Sequence, residues 1–292
     1  MKPPPFDYSS PDTLEEALAI LADVGDEARP LAGGQSLIPL LSLRLARPSH
    51  LIDLARIPEL KAIETTNGTL TIGAMVRERQ AEADEAVHRV APLLADALPF
   101  IGHAAIRSRG TIGGSLSHAD PAAELPAVAR IVDATLVAQS RDRGSRTIAA
   151  ADFFTGFFST ALEPDEILTG VQITGPAPNT GWAIDEVARR HGDFAMVGAA
   201  AMVRLDGGKI AEARVALTGV SDTPLRASEA EQMLAGADPS DQAWTEAAQK
   251  AAAALSPAAD LHGTSAYRRH VAGVLIQRTL AKAAERAAGE AA

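Results

Sequence analysis

Apolar positions along the first 55 residues follow two alternating patterns, one with helical spacing and one of short continuous runs. Residues 14–21 show the helical spacing behind a short polar segment, which is typical of a helix start. Two apolar runs, residues 29–32 and 50–54, are typical of buried strands. Between them, residues 37–45 are long and apolar enough for a buried helix or an irregular helical segment. We therefore expect an opening α/β unit.

After residue 55 the pattern changes to one that is typical of antiparallel strands. Two strand-like runs, residues 60–66 and 69–73, flank Asn67-Gly68, a dipeptide that strongly favours a two-residue hairpin turn. Helical spacing of apolar residues predicts helices at 91–106, interrupted at Pro99, and at 120–132. Short apolar runs predict further strands at 135–139, 147–149 and 166–174. These elements predict an α+β second lobe.

Residues 175–181 are the best candidate for a linker, because they cluster residue types that break both helices and strands. Beyond the linker the pattern predicts three strands and then an alanine-rich helical stretch: residues 182–190, 194–205, 210–220 and 228–292, the last broken at Ser256-Pro257. We expect two domains, residues 1–176 and 177–292, and divide the first into lobes of about residues 1–55 and 56–176.

Composition excludes several classes of protein. With 47% hydrophobic and 22% charged residues, the chain is typical of a globular protein rather than a disordered one. Its 27 Lys and Arg residues against 37 Asp and Glu residues give a net charge of -10, which disfavours nucleic acids and anionic membranes as partners. The absence of cysteine excludes disulfides and any iron–sulfur cluster held by this chain. Because the sequence also lacks a signal-peptide pattern and a membrane-length apolar run, we expect a cytoplasmic protein.

A first glycine turn, Gly33-Gly34-Gln35-Ser36, lies between a predicted strand and a predicted helix. Backbone N–H groups in such a turn can converge on an anion, because no Cβ stands in the way. The turn matches neither the dinucleotide fingerprint nor the phosphate-loop motif. A plain tight turn and a pyrophosphate cradle therefore both remain open at this point.

A second glycine segment runs from Arg109 to Pro121 and contains Gly113-Gly114, with Ser115 and Ser117 close behind. Asp120 and Pro121 suit the N-cap and first position of a helix. A capped helix would explain those two residues but not the glycines and hydroxyls. Two such segments about 80 residues apart could bind one extended ligand with two phosphates.

Few side chains suggest acid–base, nucleophilic or metal chemistry. His118 lies in the second glycine segment, where a histidine is either a hydrogen-bonding loop residue or a catalyst. His50 and His103 have no partners at metal-binding spacing, and no serine lies in a hydrolase elbow. We therefore assign no catalytic residue and no metal ligand.

Three segments together resemble the FAD-binding medium subunit of molybdenum hydroxylases, the family of xanthine dehydrogenase and aerobic carbon monoxide dehydrogenase. They are residues 31–39, residues 111–126 (which contain Thr-Ile-Gly-Gly-Ser and His-Ala-Asp-Pro), and residues 186–195 after the linker. The likeness extends over essentially the whole chain. It implies a two-lobed FAD domain of the vanillyl-alcohol-oxidase type (PCMH type), followed by a C-terminal domain of three antiparallel strands and helices.

The resemblance also implies which residues bind the cofactor. The first turn would wrap the FAD pyrophosphate through main-chain N–H groups: Ala32, Gly33, Gly34, Gln35, Ser36 and Leu37. The second segment would lie near phosphate, ribityl and sugars: Thr111, Gly114, Ser115, Ser117, Asp120 and Glu124. Ile101 and Leu168 are candidate flavin or adenine contacts, with core packing as the alternative, and Phe194 is a candidate cover for the isoalloxazine.

Two further features bear on the flavin. Asp185 stands near the position where the eukaryotic xanthine enzymes have a lysine, so it receives no role. The sequence has no pattern that is typical of a covalent flavin link, and we expect noncovalent FAD.

In this family the flavin is the exit of an electron relay. The resemblance implies an iron–sulfur small subunit with two 2Fe-2S clusters and a large subunit with molybdopterin, assembled with this chain as a dimer of heterotrimers. An exposed apolar docking surface is expected on this chain. A stand-alone flavin oxidase or reductase of the same fold and a non-redox assembly subunit are the alternatives. The substrate and the electron acceptor stay open.

Overall fold

The computed structural model describes residues 2–289 and begins with a small parallel sheet. Its elements are β1 (Asp7–Ser9), α1 (Leu14–Val24), β2 (Ala28–Leu31), α2 (Leu37–Leu43) and β3 (His50–Asp53). The strand order is β1-β3-β2, and both pairings are parallel. The predicted opening α/β unit is therefore present. Helix α1 begins after Thr13, whose hydroxyl accepts a hydrogen bond from the N–H of Glu16.

One expectation for this unit is wrong. The helix α2 is not buried, since Leu41 is its one buried residue. The side chains of Ile38, Leu43 and Leu45 are 44%, 59% and 73% exposed. An apolar pattern reports which residues prefer burial but not whether the fold provides a surface to cover them. We call these three exposed apolar residues, two on α2 and one just after it, the α2 ridge.

The middle of the chain forms an antiparallel sheet. Its strands, with a small separate hairpin, are β4 (Ile63–Thr66), β5 (Thr69–Gly73), β6 (Thr135–Ser140), β7 (Gly144–Ala149), β8 (Phe154–Gly156), β9 (Ser159–Thr160) and β10 (Ile167–Thr174). The sheet order is β4-β5-β10-β6-β7, and β8 pairs with β9. The predicted hairpin is confirmed: Asn67 and Gly68 have φ of 52° and 78°, the left-handed values that a type I′ turn requires.

Seven short helices cover this sheet within the described residues. They are α3 (Glu78–Ala83), α4 (Glu85–Val90), α5 (Pro92–Ala97), α6 (Ala104–Arg107), α7 (Ile112–His118), α8 (Glu124–Ile131) and α9 (Ala150–Phe153). The predicted helix at 91–106 is divided into α5, the 3-10 turn Leu98–Phe100 and α6. Proline at position 99 accounts for part of the break, because it has no N–H to continue the ladder.

The predicted helix at 120–132 begins four residues later, so Asp120 is not its N-cap. Asp120 instead accepts a hydrogen bond from the N–H of Ala122 at 2.8 Å, which closes a turn before α8. Several helices were not predicted, namely α3, α4, α9 and α7, and the last of these contains Gly113 and Gly114. Thr111 caps α7, accepting a hydrogen bond from the N–H of Gly114 at 3.0 Å.

The C-terminal region, residues 180–289, forms a third sheet backed by helices. Its elements are β11 (Thr180–Val187), β12 (Val197–Asp206), β13 (Lys209–Thr218), β14 (Leu225–Arg226), α10 (Ser228–Leu234), α11 (Asp241–Ala254) and α12 (Ser265–Ala287). The sheet is antiparallel in the order β11-β12-β13-β14. The three predicted strands are confirmed, and β14 is an addition. The last three residues of the predicted helical tail lie outside the described residues.

Polar and apolar contacts join the C-terminal region to the middle of the chain. A buried cluster unites Leu93 and Ile131 with Ala200 and Ala216 across the junction. Beside it, Asp96 accepts hydrogen bonds from the Trp182 indole at 3.2 Å and from Arg286 at 2.7 Å. Across residues 2–289, no helix has both the length and the apolarity needed to cross a membrane.

Candidate functional site

The two glycine turns lie directly against each other. A Cβ on Gly33 would lie 2.9 Å from the Gly110 Cα and would overlap the Arg109 carbonyl oxygen. A Cβ on Gly114 would lie 3.3 Å from the Cβ of Ala32 and 2.7 Å from the Thr111 hydroxyl. A Cβ atom does not tolerate contacts under 3.0 Å, so glycine at positions 33 and 114 permits the close approach of the two turns. Segments about 80 residues apart in sequence therefore form one continuous surface.

The first turn presents free donors on this surface. Gly34 has a φ of +74°, a left-handed conformation that favours glycine. Among residues 2–289, no hydrogen bond uses the backbone N–H of any residue in the turn: Gly33, Gly34, Gln35, Ser36 and Leu37. Four of these five residues are half-buried. A row of free N–H groups leading into α2 is suited to anionic oxygens, above all those of a phosphate.

The second segment uses its N–H groups within the protein. The N–H of Ile112 donates to Val76 at 3.0 Å, and the N–H of Gly113 donates to Ala74 at 2.9 Å. Thr111 is itself buried, and its hydroxyl oxygen already accepts the hydrogen bond that caps α7. Ser115 and Ser117 are half-buried and exposed, respectively, and leave hydroxyls free for a ligand. This segment therefore offers hydroxyls and close backbone approach rather than a donor row.

The remaining predicted positions fall around this surface. Asp120 and Glu124 lie at the two ends of the turn between α7 and α8, and Glu124 is buried. Leu168 is buried in the core of the middle sheet, and Ile101 packs against that core. Both side chains therefore pack within the protein, which was the alternative to contact with the flavin or adenine. Phe194 is exposed on the loop between β11 and β12. That loop adjoins the Ile101 segment, since a Cβ on Gly192 would lie 3.0 Å from the Gly102 carbonyl oxygen.

Two carboxyl groups near the site, the buried Glu78 and the half-buried Glu186, were not predicted. Burial, reinforced by the charge of Glu124, raises the pKa of Glu78 to about 8, although Arg107 and Arg77 act in the opposite direction. Its Oε2 has no hydrogen-bond partner among the described residues. Burial and the charges of Glu124 and Asp185 likewise raise the pKa of Glu186 to about 8. No local sequence pattern predicts that the carboxyl groups of Glu78 and Glu186 are shielded from solvent.

Glu124 belongs to the same group of carboxyls. Burial raises its pKa to about 7, and the charge of Asp120 adds to that rise. Near neutral pH a substantial share of Glu124 is therefore protonated, and its carboxyl can donate as well as accept a hydrogen bond. The site is acidic in composition but carries less negative charge than its sequence indicates.

The histidine near the site does not have the environment of a charged base. Burial lowers the pKa of His118, with Asp120 opposing that shift, and its ring packs against Phe158 at 4.9 Å between centroids. No group of three or more potential metal ligands occurs among the residues that the structure describes.

Comparison with protein families covers nearly the whole chain. Residues 4–176 match the model described as the FAD binding domain in molybdopterin dehydrogenase, and residues 182–283 match the CO dehydrogenase flavoprotein C-terminal domain. The chain belongs to the flavoprotein family of the molybdopterin dehydrogenases. It is an FAD-binding member of an oxidoreductase family.

Individual relatives of this flavoprotein match over nearly their full length. The alpha subunit of the 6-hydroxypseudooxynicotine dehydrogenase complex of Paenarthrobacter nicotinovorans is 43% identical, over 98% of this chain and 97% of that protein. The carbon monoxide dehydrogenase medium chain of Hydrogenophaga pseudoflava is 39% identical, over 96% and 97%. A crystal structure of quinoline 2-oxidoreductase from Pseudomonas putida 86 superposes with a TM-score of 0.94 at 41% identity, covering 98% of this chain and 99% of that one.

The residues of the site fit FAD. A pyrophosphate joins the two halves of FAD, and the free N–H groups of the first turn suit its oxygens. The contact of Gly33 with Gly110 keeps side chains out of this approach. The structure therefore provides a cradle for the cofactor that the family carries.

Proposed function

We propose that this chain is the FAD-carrying electron-transfer subunit of a heterotrimeric molybdenum hydroxylase. In this role it receives electrons from 2Fe-2S clusters on a small partner subunit and delivers them to an external acceptor, while molybdopterin resides on a large partner subunit. The joined glycine turns, with the free N–H groups of the first turn, are the observation that carries the proposal. The lack of cysteine supports it, because this chain cannot hold the iron–sulfur relay itself. When bound, FAD supplies the redox chemistry.

In this proposal each residue group has a defined task. The pyrophosphate is bound by the first turn: Ala32, Gly33, Gly34, Gln35, Ser36 and Leu37. Phosphate, ribityl and sugar hydroxyls are bound by the second segment and the turn after it: Thr111, Gly114, Ser115, Ser117, Asp120 and Glu124. Ile101, Leu168 and Phe194 provide apolar contacts, with Phe194 covering the flavin. No side chain acts as a catalytic acid or base.

The same proposal extends to architecture. We assign residues 1–176 to an FAD domain of the PCMH type and residues 177–292 to the C-terminal domain, in a dimer of heterotrimers. The α2 ridge supports the existence of a partner-covered face, because it exposes three large apolar side chains within residues 38–45. The relatives act on substrates as different as carbon monoxide and quinoline, by their names, so no substrate is assigned.

Binding of FAD is expected to be reversible. The purified chain should show flavin absorption, and acid precipitation should release the flavin into the supernatant. Flavin that stays in the pellet would contradict the noncovalent link. Protein that is colourless and does not bind added FAD would overturn the proposal and favour a non-redox assembly subunit.

The electron-exit role is tested in the complex. Substrate added to the three-subunit complex should bleach the flavin absorption, and complex lacking the iron–sulfur subunit should not respond, because this chain holds no other redox centre. Reduction of the flavin in the isolated chain by the same substrate would instead identify a stand-alone flavin oxidase or reductase.

A further inference from the structure

The turn between α7 and α8 carries two of the proposed cofactor ligands at its ends, Asp120 and Glu124. Its own hydrogen bonds are short-range: the N–H of Ala122 donates to the Asp120 carboxylate, and the N–H of Ala123 donates to the Asp120 carbonyl at 3.0 Å. The carbonyls of Pro121 and Ala123 are bound from elsewhere. Their donors come from the C-terminal region.

Thr218, at the end of β13, supplies the main donor. Its hydroxyl lies 2.7 Å from the Pro121 carbonyl oxygen and 3.0 Å from the Ala123 carbonyl oxygen, so a single O–H is shared between the two. The N–H of the next residue, Gly219, also donates to Pro121, at 2.8 Å. Thr218 is buried, so water cannot readily replace its hydroxyl.

Arg268, on α12, holds the segment behind Thr218. Its guanidinium donates to the carbonyl of Gly219 at 3.1 Å and to the carbonyl of Met196. Met196 is two residues beyond Phe194, on the loop proposed to cover the flavin. The other end of the guanidinium binds Asp260 at 2.6 Å, and this bond holds the pKa of Asp260 at about 2. One buried side chain therefore connects the Phe194 loop to the turn that carries Glu124.

We propose that Thr218 and Arg268 are positioning residues for FAD, which fix the Asp120–Glu124 turn and the Phe194 loop from the C-terminal region without contacting the cofactor. This inference rests on the proposed FAD site. Like Phe194, both residues lie beyond the matched FAD-binding model, which ends at residue 176. The C-terminal region would accordingly help to hold the cofactor site in shape through residues that do not contact FAD.

The test is titration of the FAD-depleted full chain with FAD, followed by quenching of flavin fluorescence. Thr218→Val, which keeps the shape but removes the O–H, should raise the Kd about tenfold or more, since the buried Ala123 carbonyl loses its donor and the Pro121 carbonyl keeps only the N–H of Gly219. Thr218→Ser retains the hydroxyl and should stay within about twofold of the wild type.

Thr279→Val is the matched control. Thr279 is buried in α12, and its hydroxyl bonds to Leu275 at 2.8 Å inside the same helix. Its loss removes the same chemical group from the same region, so it should lower Tm without changing the Kd for FAD. An equal loss of affinity in Thr279→Val would mean general loosening and would overturn the inference. An unchanged Kd in Thr218→Val would overturn it too.

Arg268→Lys provides a second route if Thr218→Val does not fold. Lysine keeps the positive charge but not the planar fork that binds Gly219, Met196 and Asp260 together. Both a higher Kd and an altered visible circular dichroism of the bound flavin are expected. Wild-type affinity and an unchanged spectrum in this variant would remove Arg268 from the proposal. Failure of the wild-type chain itself to bind FAD would contradict the cofactor site and not this coupling in particular.

Discussion

Gly33→Ala is expected to abolish tight FAD binding, raising the Kd by about 100-fold or more. The new Cβ would overlap the Arg109 carbonyl oxygen and crowd the Gly110 Cα, and both are backbone atoms that cannot swing aside. The two glycine turns must then separate, at a cost typical of overpacking, about 1–3 kcal/mol, and the donor row moves away from the second segment. Flavin content of the purified variant and titration with FAD measure the effect.

Gly175→Ala is the matched control for this experiment. Gly175 also lacks a positive φ, and a Cβ there would meet its nearest neighbour, the Val90 side chain, at an ordinary 3.5 Å. It should fold and bind FAD as the wild type does. A Gly33→Ala protein that is folded and carries a full complement of flavin would show that the contact between the turns is not needed for the cofactor.

Glu78→Gln is expected to stabilise the protein in a pH-dependent way. The pKa of Glu78 rises from 4.5 to about 8 on folding, so its ionised form is disfavoured in the folded state. Below pH 4.5 the group is protonated in both states and costs nothing. Between pH 4.5 and about 8 the cost grows, and above that it is constant, at up to about 5 kcal/mol for a shift of this size. Glutamine avoids the cost at every pH.

The measurement is urea unfolding of the two proteins at pH 5, 7 and 9, at matched flavin content. The difference in unfolding free energy should be smallest at pH 5, at about 1 kcal/mol, and largest at pH 9. Glu64→Gln is the control, because it removes an exposed carboxylate, on β4, instead of a buried one. A gain that is the same at all three pH values would refute ionisation as the cause.

The parts of the fold that could be predicted are those determined locally. Asn67-Gly68 specifies its hairpin through positive φ at both positions, and Thr13 begins α1 by capping it. The helix α7 could not be predicted, because Gly113 and Gly114 favour a loop by intrinsic preference. Its formation depends on tertiary contact: a Cβ on Gly113 would lie 2.7 Å from the Ala74 Cα, so only glycine lets the helix dock on the β5 segment.

The candidate site divides in the same way. The glycines and hydroxyls of the two turns are visible in the sequence, and the family resemblance implies their roles in binding FAD. Glu78 and Thr218 were missed, because their importance lies in contacts with Gly110 and with Pro121 that are distant along the chain. The burial of a carboxyl or a hydroxyl is a property of the packed structure, and no spacing rule encodes it.

The contact of Gly33 with Gly110 also has a consequence for the order of events during synthesis. Ribosomes synthesise a chain from its N-terminus, so the first turn, with its free N–H groups, is made long before the second glycine segment that packs against it. Thr218 and Arg268, which secure the turn that carries Glu124, follow later still. A nascent chain thus lacks the complete set of these contacts until synthesis has passed Arg268. For the proposed FAD site, loading is therefore expected to follow synthesis of the C-terminal region, and free FAD should bind chains that include Arg268 in preference to chains truncated before it.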